Sequence, residues 1–149
     1  METLNVYTDA GFKNGVSTHH WRVFDTKGKL IKRRSFRALE EDCNKAELQT
    51  INSVIQWLYK KNIDNVNIHT DSMYCVKLLS NSSASDEHEL ISPTEKSDID
   101  FLKFQMKGFN IRVEWVSRCT KQIKLADYYC DELMDTVLKR KEYATMSLA

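Results

Sequence analysis

The sequence predicts an α/β fold built on a mixed five-stranded sheet, three antiparallel strands followed by parallel ones, with helices on both faces. Residues 4–9 (LNVYTD) and 66–71 (VNIHTD) alternate apolar and polar side chains and end on Thr-Asp. Alternation with a period of two is typical of half-buried strands. Residues 44–60 and 126–138 instead carry apolar side chains at helical spacing. The expected order is three strands, a helix, a strand, a helix, a loop with a short helix, a strand and a long C-terminal helix.

The first three strands are expected to be antiparallel, with Asn14 in the turn after the first and the His19-His20 pair in the second. The third strand is dense in positive charge, with six basic residues among positions 27–37: Lys27, Lys29, Lys32, Arg33, Arg34 and Arg37. This run is either a contact for nucleic acid or a charged edge that prevents aggregation. Trp21 and Trp115 lie on strand patterns and are expected in the core.

Two aspartates are predicted to meet at one edge of the sheet. If the strand at residues 66–71 is a parallel neighbour of the first strand, joined by a crossover that includes a helix, their carboxyl ends share an edge. Open α/β sheets usually bind ligands at that edge. Asp9 and Asp71 end these strands on the face opposite to the apolar residues. Their carboxylates are therefore expected close together.

Two further acids lie on helices. On the helix at residues 44–60, Glu47 shares a face with Ile51, Val54 and Leu58. Burying an unpaired carboxylate there would be costly, so Glu47 needs a cation or a hydrogen-bond partner. Asp127 is predicted to open the last helix, beside its apolar face and after a strand at residues 111–116.

Four converging carboxylates would repel one another and raise each other's pKa unless divalent cations were bound. Oxygen ligands without Cys or His at metal spacing favour Mg²⁺, with Mn²⁺ as a substitute, over Zn²⁺. Two such ions about 3.5 to 4 Å apart can activate a water and stabilise the leaving oxygen in phosphodiester hydrolysis. The four acids therefore indicate a two-metal nuclease.

The chain resembles type 1 ribonuclease H, within the ribonuclease H-like fold, over nearly its whole length. The resemblance rests on the order and spacing of Tyr7-Thr-Asp9-Ala-Gly11, Asn44-Lys-Ala-Glu47-Leu48, His69-Thr-Asp71-Ser72, Trp115-Val-Ser-Arg118 and Leu125-Ala126-Asp127. It implies Mg²⁺-dependent endonucleolytic cleavage of the RNA strand in an RNA/DNA hybrid, leaving a 5′-phosphate and a 3′-hydroxyl. It also implies that Asp9, Glu47, Asp71 and Asp127 are the metal-coordinating catalytic carboxylates.

The resemblance also suggests contacts to the substrate. Asn14 and Asn44 resemble the family's hybrid-binding asparagines, and Gln49 and Ser72 are weaker candidates. Small amides and hydroxyls can reach the 2′-hydroxyls and base edges in the minor groove of a hybrid. The alternative for either asparagine is local turn formation or helix capping.

One departure from the family lies in the loop before Asp127, expected at residues 117–124. Many members carry Gly-His there, whereas this chain has Ser117-Arg118-Cys119-Thr120. The missing His is expected to affect turnover rather than the reaction type. Arg118 is the candidate for a phosphate contact in its place, unless it is simply solvated, and Lys121 is a further candidate for contacting the phosphate backbone.

A second departure is the middle of the chain. Residues 80–97 are serine-rich and acidic where some members have a basic, substrate-gripping helix, so a flexible loop is expected and a phosphate-binding surface is not. Residues 97–100 have the form of a capping box, which predicts that a short helix starts there. A frayed tail is expected at residues 143–149.

Bulk properties predict one domain, residues 1–149, and a monomer in the cytoplasm. The net charge of +1 neither demands nor excludes nucleic acid. No apolar run is long enough to span a membrane, and a strand begins within a few residues of the N-terminus, which leaves no room for a signal peptide.

The cysteines show no C-x-x-C pairing and are expected to be reduced; a zinc site of Cys119, Cys130 and His19-His20 fits no standard spacing. His69 is expected either near the site or as a hydrogen-bonded structural residue.

Two alternatives to a ribonuclease H remain open. One keeps the fold and the metal chemistry but acts on structured DNA or double-stranded RNA, consistent with the missing His and the missing basic grip. The other is a non-catalytic nucleic-acid-binding accessory module. It is disfavoured, because a binding protein has no physical need for four clustered carboxylates that repel phosphate.

Overall fold

The computed structural model describes residues 2–40, 42–80 and 93–148, with side chains at residues 95–140 of the last stretch. The elements in chain order are β1 (Leu4–Lys13), β2 (Val16–Phe24), β3 (Leu30–Leu39), α1 (Cys43–Lys61), β4 (Val66–Thr70), α2 (Met73–Leu79), α3 (Pro93–Gly108), β5 (Ile111–Trp115) and α4 (Lys121–Leu148). The strands form one sheet in the order β3-β2-β1-β4-β5. β1, β2 and β3 are antiparallel, and β4 and β5 are parallel to β1. The predicted mixed sheet is therefore confirmed.

The two Thr-Asp segments are direct neighbours in the sheet. Leu4 is paired with Val66 and each following residue keeps this register, up to the pair of Tyr7 and His69. β1 itself does not end there, because β2 continues to pair with it as far as Lys13. Asp9 thus lies within β1, just past its parallel pairing with β4, rather than at the strand end that the sequence suggested.

Helices cover both faces of the sheet, as expected. One face carries the main apolar core, in which Val6 and Ile68 of the sheet meet Ile51 and Val54 of α1. α4 packs against β1, β2 and β3, with Val16, Met134 and Val137 forming a smaller cluster. Trp21 is fully buried in the main core, as predicted. Trp115 is 49% exposed, so its predicted burial is wrong: it ends β5, at the open edge of the sheet.

The two adjacent histidines of β2 contact helices on opposite faces. His19 Nδ1 lies 2.7 Å from Thr50 Oγ1 in α1. The His20 ring stacks on Tyr129 of α4, with the ring centroids 4.7 Å apart. Because neighbouring strand residues point to opposite faces, a single dipeptide helps to fix both helix layers against the sheet.

Three helix boundaries differ from the sequence expectation. α3 begins at Pro93, so the capping-box residues 97–100 lie inside it; proline suits a first helical turn because its missing N–H is not needed there. Residues 93–97 of the expected loop are thus helical, and residues 81–92 lie outside the described residues. α4 begins at Lys121, which shortens the expected loop at residues 117–124 and places Asp127 in the second turn. α4 also continues to Leu148, so its backbone is helical where fraying was expected.

None of the helices in the described part of the chain has a stretch long and apolar enough to cross a bilayer.

Candidate active site

Three carboxyl groups meet beside the end of the parallel strands. One oxygen each of Asp9, Glu47 and Asp71 lies within 4.8 Å of the others. Asp9 is only 4% exposed, and Asp71 directly follows β4. The chain turns immediately after Asp71, because the Ser72 hydroxyl caps α2 by accepting a hydrogen bond from the Cys75 amide at 3.2 Å. The sheet register and this cap together fix the two aspartates side by side.

Glu47 reaches the cluster from α1. The helix begins at the N-cap Asp42, whose carboxylate accepts a hydrogen bond from the Lys45 amide at 2.8 Å. Helical spacing then places Glu47 above the buried Ile51 and Val54, as predicted from the sequence. Its Oε2 atom is buried and has no hydrogen-bond partner among the described residues. A buried anionic oxygen without a donor is the ligand that a cation would satisfy.

Asp127 lies at the exposed side of this group. It is not one of the three mutually close carboxylates, but it is within hydrogen-bonding reach of Asp9. The docking of α4 on β1 holds it there: the Cys130 thiol donates to the Asp9 carbonyl at 3.4 Å. The Thr18 hydroxyl in turn donates to the Cys130 carbonyl at 3.0 Å.

The carboxyl groups strongly affect one another's protonation. Burial, followed by the negative charges of Glu47 and Asp71 and then by Asp127, raises the pKa of Asp9 far above its ordinary range. Burial and the charge of Asp71 also raise the pKa of Glu47, although the Ala10 amide donates to it and opposes the shift. In the metal-free protein the cluster therefore retains protons at neutral pH.

Arg118, one of the predicted substrate contacts, affects the protonation of a carboxyl group in the cluster. Burial raises the pKa of Asp71, and the positive charge of Arg118 opposes that shift. Lys121 is exposed in the first turn of α4 and borders a surface depression with Cys119 and Tyr128. The charge of Arg118 therefore acts on Asp71, and Lys121 lines a depression on the surface of α4.

The other four predicted substrate contacts occupy different settings. Asn14 has φ of 53° and is followed by Gly15 with φ of 78°, so it forms the two-residue turn between β1 and β2. Asn44 is exposed in the first turn of α1 and is not its cap, because Asp42 fills that role. Ser72 serves as the cap of α2. Gln49 borders the groove between α1 and α3, and its Oε1 is buried without a partner among the described residues.

His69 takes the structural role that the sequence left open. Its ring stacks on Tyr7 with the centroids 4.6 Å apart, and Nε2 lies 2.9 Å from Asn5 Oδ1. Nδ1 lies 3.9 Å from a carboxylate oxygen of Glu114. Burial lowers the pKa of His69, which favours the neutral ring.

The cysteines are unpaired in the structure. All four are free thiols; Cys43 and Cys119 are exposed, and Cys75 and Cys130 are buried. Within the described ranges, the three carboxylates are the only group of His, Cys, Asp or Glu side chains placed to share a metal ion.

Some supporting groups were not predicted from the sequence. The Ala10 amide has no side-chain signal at all. Cys130 follows Asp127 by three positions, which puts both on one side of α4, so helical spacing offered a clue. Arg22, on β2, is only 7% exposed although it is charged. It alternates with the apolar Trp21 and Val23, which was a clue that it lies on the other face of the strand.

Solved structures share this fold. RNase H1 from the halophilic archaeon Halobacterium salinarum is 16% identical, with a TM-score of 0.72, and the alignment covers 90% of this chain and 98% of that one. LC11-RNase H1, isolated from compost by a metagenomic approach and solved in complex with an RNA/DNA hybrid, is 18% identical, with a TM-score of 0.71 and coverage of 91% and 99%. The RNase H domain of Rv2228c from Mycobacterium tuberculosis is 17% identical, with a TM-score of 0.70 and coverage of 93% and 98%.

Sequence comparison gives the family. Curated protein sequences show no significant match to the chain. The sequence profile of the RNase H family, however, matches residues 1–136, which is nearly the whole chain. The fold, the strand register and the acidic cluster agree with that match. The chain therefore belongs to the RNase H family.

Proposed function

We propose that this protein hydrolyses the RNA strand of RNA/DNA hybrids endonucleolytically, leaving a 5′-phosphate and a 3′-hydroxyl. The observation that carries the proposal is the convergence of Asp9, Glu47 and Asp71 within 4.8 Å, with Asp127 alongside. We assign these four carboxylates as the catalytic, metal-coordinating residues. Their placement at the end of the parallel pairing leaves them open to a ligand from the edge of the sheet.

The donor set fits hard divalent cations. All the available ligand atoms are carboxylate oxygens, and Glu47 Oε2 is buried without a donor among the described residues. Such oxygen sites suit Mg²⁺, with Mn²⁺ as a substitute, better than Zn²⁺. Two bound ions would supply activation of a water and stabilisation of the leaving oxygen.

The protein's own groups orient the substrate around this centre. Arg118 provides positive charge beside Asp71, where a phosphate of the cleaved strand would otherwise meet only acidic groups. Asn14 and Asn44 are exposed and carry amides that suit minor-groove contacts. Gln49, Ser72 and Lys121 complete the proposed substrate contacts. The Ser72 hydroxyl would contact the substrate and cap α2 at the same time.

The hybrid is favoured as the substrate because a structural relative of similar size, LC11-RNase H1, has been solved with an RNA/DNA hybrid. We further propose that the protein acts as a monomer in the cytoplasm. The reducing conditions there suit two exposed, unpaired thiols, Cys43 and Cys119.

The test is cleavage of end-labelled RNA/DNA hybrid, DNA duplex and RNA duplex of one sequence, with Mg²⁺, with Mn²⁺ and with chelator. Asp9→Asn is run in parallel, and Asp64→Asn, at an exposed site away from the cluster, is the matched control. We expect cutting of the hybrid's RNA strand only, lost with chelator and in Asp9→Asn but kept in Asp64→Asn. Cleavage of another duplex alone would change the substrate class, and no cleavage of any duplex would favour a binding module.

A further inference from the structure

The edge strand β3 carries a dense positive surface, the β3 basic strip, formed by Lys32, Arg33, Arg34 and Arg37. These residues fill four of six consecutive positions, and all four are exposed. β3 is the outermost strand of the sheet, paired only with β2. Because side chains alternate along a strand, the strip presents charge on both sides of this edge.

The strip has no acidic partner in the part of the chain that the structure describes. Among the described residues, none of its four side chains makes an ion pair. Two of its guanidinium groups lie over aromatic rings instead: Arg34 over Phe36 at 5.2 Å and Arg33 over Tyr129 at 5.9 Å. Such contacts hold the planar groups in place while their N–H donors remain free to bind an anion.

A second, independent observation lies one strand inward. Arg22 is the cross-strand partner of Arg33 and is only 7% exposed. Its guanidinium lies 5.5 Å from the Tyr129 ring centre, and its Nε is buried without a hydrogen-bond partner among the described residues. Burial, together with the nearby charge of Arg33, lowers the pKa of Arg22. A buried cation beside a second cation is unfavourable unless an anion compensates for both.

We propose that the β3 basic strip binds the phosphate backbone of the nucleic-acid duplex that is held at the carboxylates. This inference rests on the proposed function. The pairing of Asp9 with His20 and of His20 with Ser35 places the strip two strands from the cluster. With strands about 4.8 Å apart, the backbones of Asp9 and Ser35 are about 10 Å apart, well within the extent of one duplex.

The simpler explanation is that charges on an edge strand prevent sheet-to-sheet aggregation. That role is fulfilled by exposed charges alone. It gives no reason for a buried Arg22 behind the strip whose Nε has no hydrogen-bond partner among the described residues. Backbone binding accounts for both observations, because phosphate charge near Arg33 would also offset the charge of Arg22.

The test is duplex binding measured by fluorescence anisotropy over a range of KCl concentrations, with chelator present so that nothing is cleaved. Arg34→Gln/Arg37→Gln removes two charges from the strip. Lys27→Gln/Lys29→Gln removes two exposed charges from the turn before β3 and is the matched control. Arg34→Lys/Arg37→Lys keeps the charge, and thermal melting verifies that every variant is folded.

We expect the strip variant to bind about tenfold more weakly near 0.1 M salt, with the slope of log K against log salt reduced by about 1.8, or 0.9 for each lost phosphate contact. Hybrid, DNA duplex and RNA duplex should all show this loss, because the backbone carries no base information. The control should change little, and the lysine variant should recover most of the slope. Equal slopes for the strip variant and the control would overturn the proposal.

Binding and cleavage separate this inference from the proposed function. If the strip variant loses binding while the wild type cleaves no hybrid, the strip is a nucleic-acid surface on a protein with another activity. If the wild type cleaves hybrid but both double variants bind alike, the proposed function stands and the strip proposal fails.

Discussion

Asp9 combines burial with three neighbouring carboxyl groups, so its ionised form destabilises the metal-free protein. We predict that Asp9→Asn raises the free energy of unfolding in chelator at pH 7.5 by on the order of 2 kcal/mol, since folding of the wild type must either bury this charge or neutralise it by taking up a proton, and the amide requires neither. The same variant should show little stabilisation by Mg²⁺, because a carboxylate ligand is missing. Urea unfolding with chelator and with Mg²⁺ measures both effects.

Asp64→Asn provides the matched comparison for Asp9→Asn, because Asp64 is exposed and lies outside the cluster. Its unfolding free energy in chelator should equal that of the wild type, and its response to Mg²⁺ should be unchanged. A destabilised Asp9→Asn protein, or one that keeps the full Mg²⁺ effect, would contradict the proposed metal site.

Arg118 is expected to influence the reaction through Asp71. Its positive charge lowers the pKa of Asp71 against the effect of burial, so Arg118→Gln should let that pKa rise. We predict that the acidic limb of the pH profile of kcat/KM moves to higher pH, by about one unit or less. Arg118→Lys keeps the charge and should keep the wild-type profile. Superimposable profiles for wild type and Arg118→Gln would show that Arg118 is only solvated.

For single residues, the sequence predicted the environment correctly where the neighbouring residues in the chain determine it. Glu47 was identified because an acid on the apolar face of a helix is costly to bury. In the structure its Oε2 is indeed buried without a hydrogen-bond partner among the described residues. Trp115 was misplaced because a strand pattern does not tell whether a helix covers the strand's last residue. Arg22 was missed because its contact with Tyr129 comes from a distant part of the chain, and its pairing with Arg33 depends on the register of two strands.

At the level of elements, the position of Asp127 depends on how closely α4 approaches β1. Gly11 is at this contact: a Cβ added there would lie 3.0 Å from Thr18 Oγ1 and 3.8 Å from Cys130 Cβ. Gly11→Ala should therefore disturb the hydrogen bond from Thr18 to the Cys130 carbonyl and shift α4. We predict a loss of about 1 to 3 kcal/mol in unfolding free energy. Because Asp127 moves with the helix, kcat should also fall by about tenfold or more.

Gly108→Ala is the control for Gly11→Ala, because a Cβ there would meet nothing within 4 Å. It lies at the end of α3 and should leave both stability and kcat close to the wild-type values. Denaturant unfolding and steady-state hybrid cleavage measure the pair. If Gly11→Ala kept full activity while losing stability, the approach of α4 would not control the position of Asp127.

The helices and strands were predictable where the apolar residues of a segment follow one spacing, either alternation or helical spacing. Alternation gave the two strands that pair in register, and helical spacing gave α1 within one residue at each end. Helix starts were less predictable, because several residues near each start can serve as caps. The capping-box form at residues 97–100 competed with Pro93, and the helix extends back to the proline. The length of β1 depends on pairing with β2, which no local pattern in β1 reveals.

At the level of the whole molecule, two sets of buried titratable groups have opposite effects on how the folding stability changes with pH. His19 and His20 hold α1 and α4 to the sheet, and burial lowers the pKa of each ring to about 4. Unfolding frees both rings to take up protons below their ordinary pKa of about 6.5. The stability that they contribute is therefore complete above pH 6.5 and is lost as the pH falls towards 4. The carboxylates have raised pKa values, so in metal-free protein they destabilise the fold increasingly as the pH rises above about 4.

These signs predict two different stability profiles for one protein. In chelator the effects oppose each other below about pH 6.5, and only the carboxylates act above it, so stability should decline as the pH rises from 6.5 to 9. In Mg²⁺ the bound carboxylates stay ionised, so the alkaline decline should disappear while the histidine-linked loss below pH 6.5 becomes steeper. His19→Gln should reduce that acid slope by about 1.4 kcal/mol per pH unit, the effect of one proton. Urea unfolding across pH 4.5 to 9 measures these slopes, and an alkaline decline of the same size in Mg²⁺ would show that the ions do not bind the carboxylates.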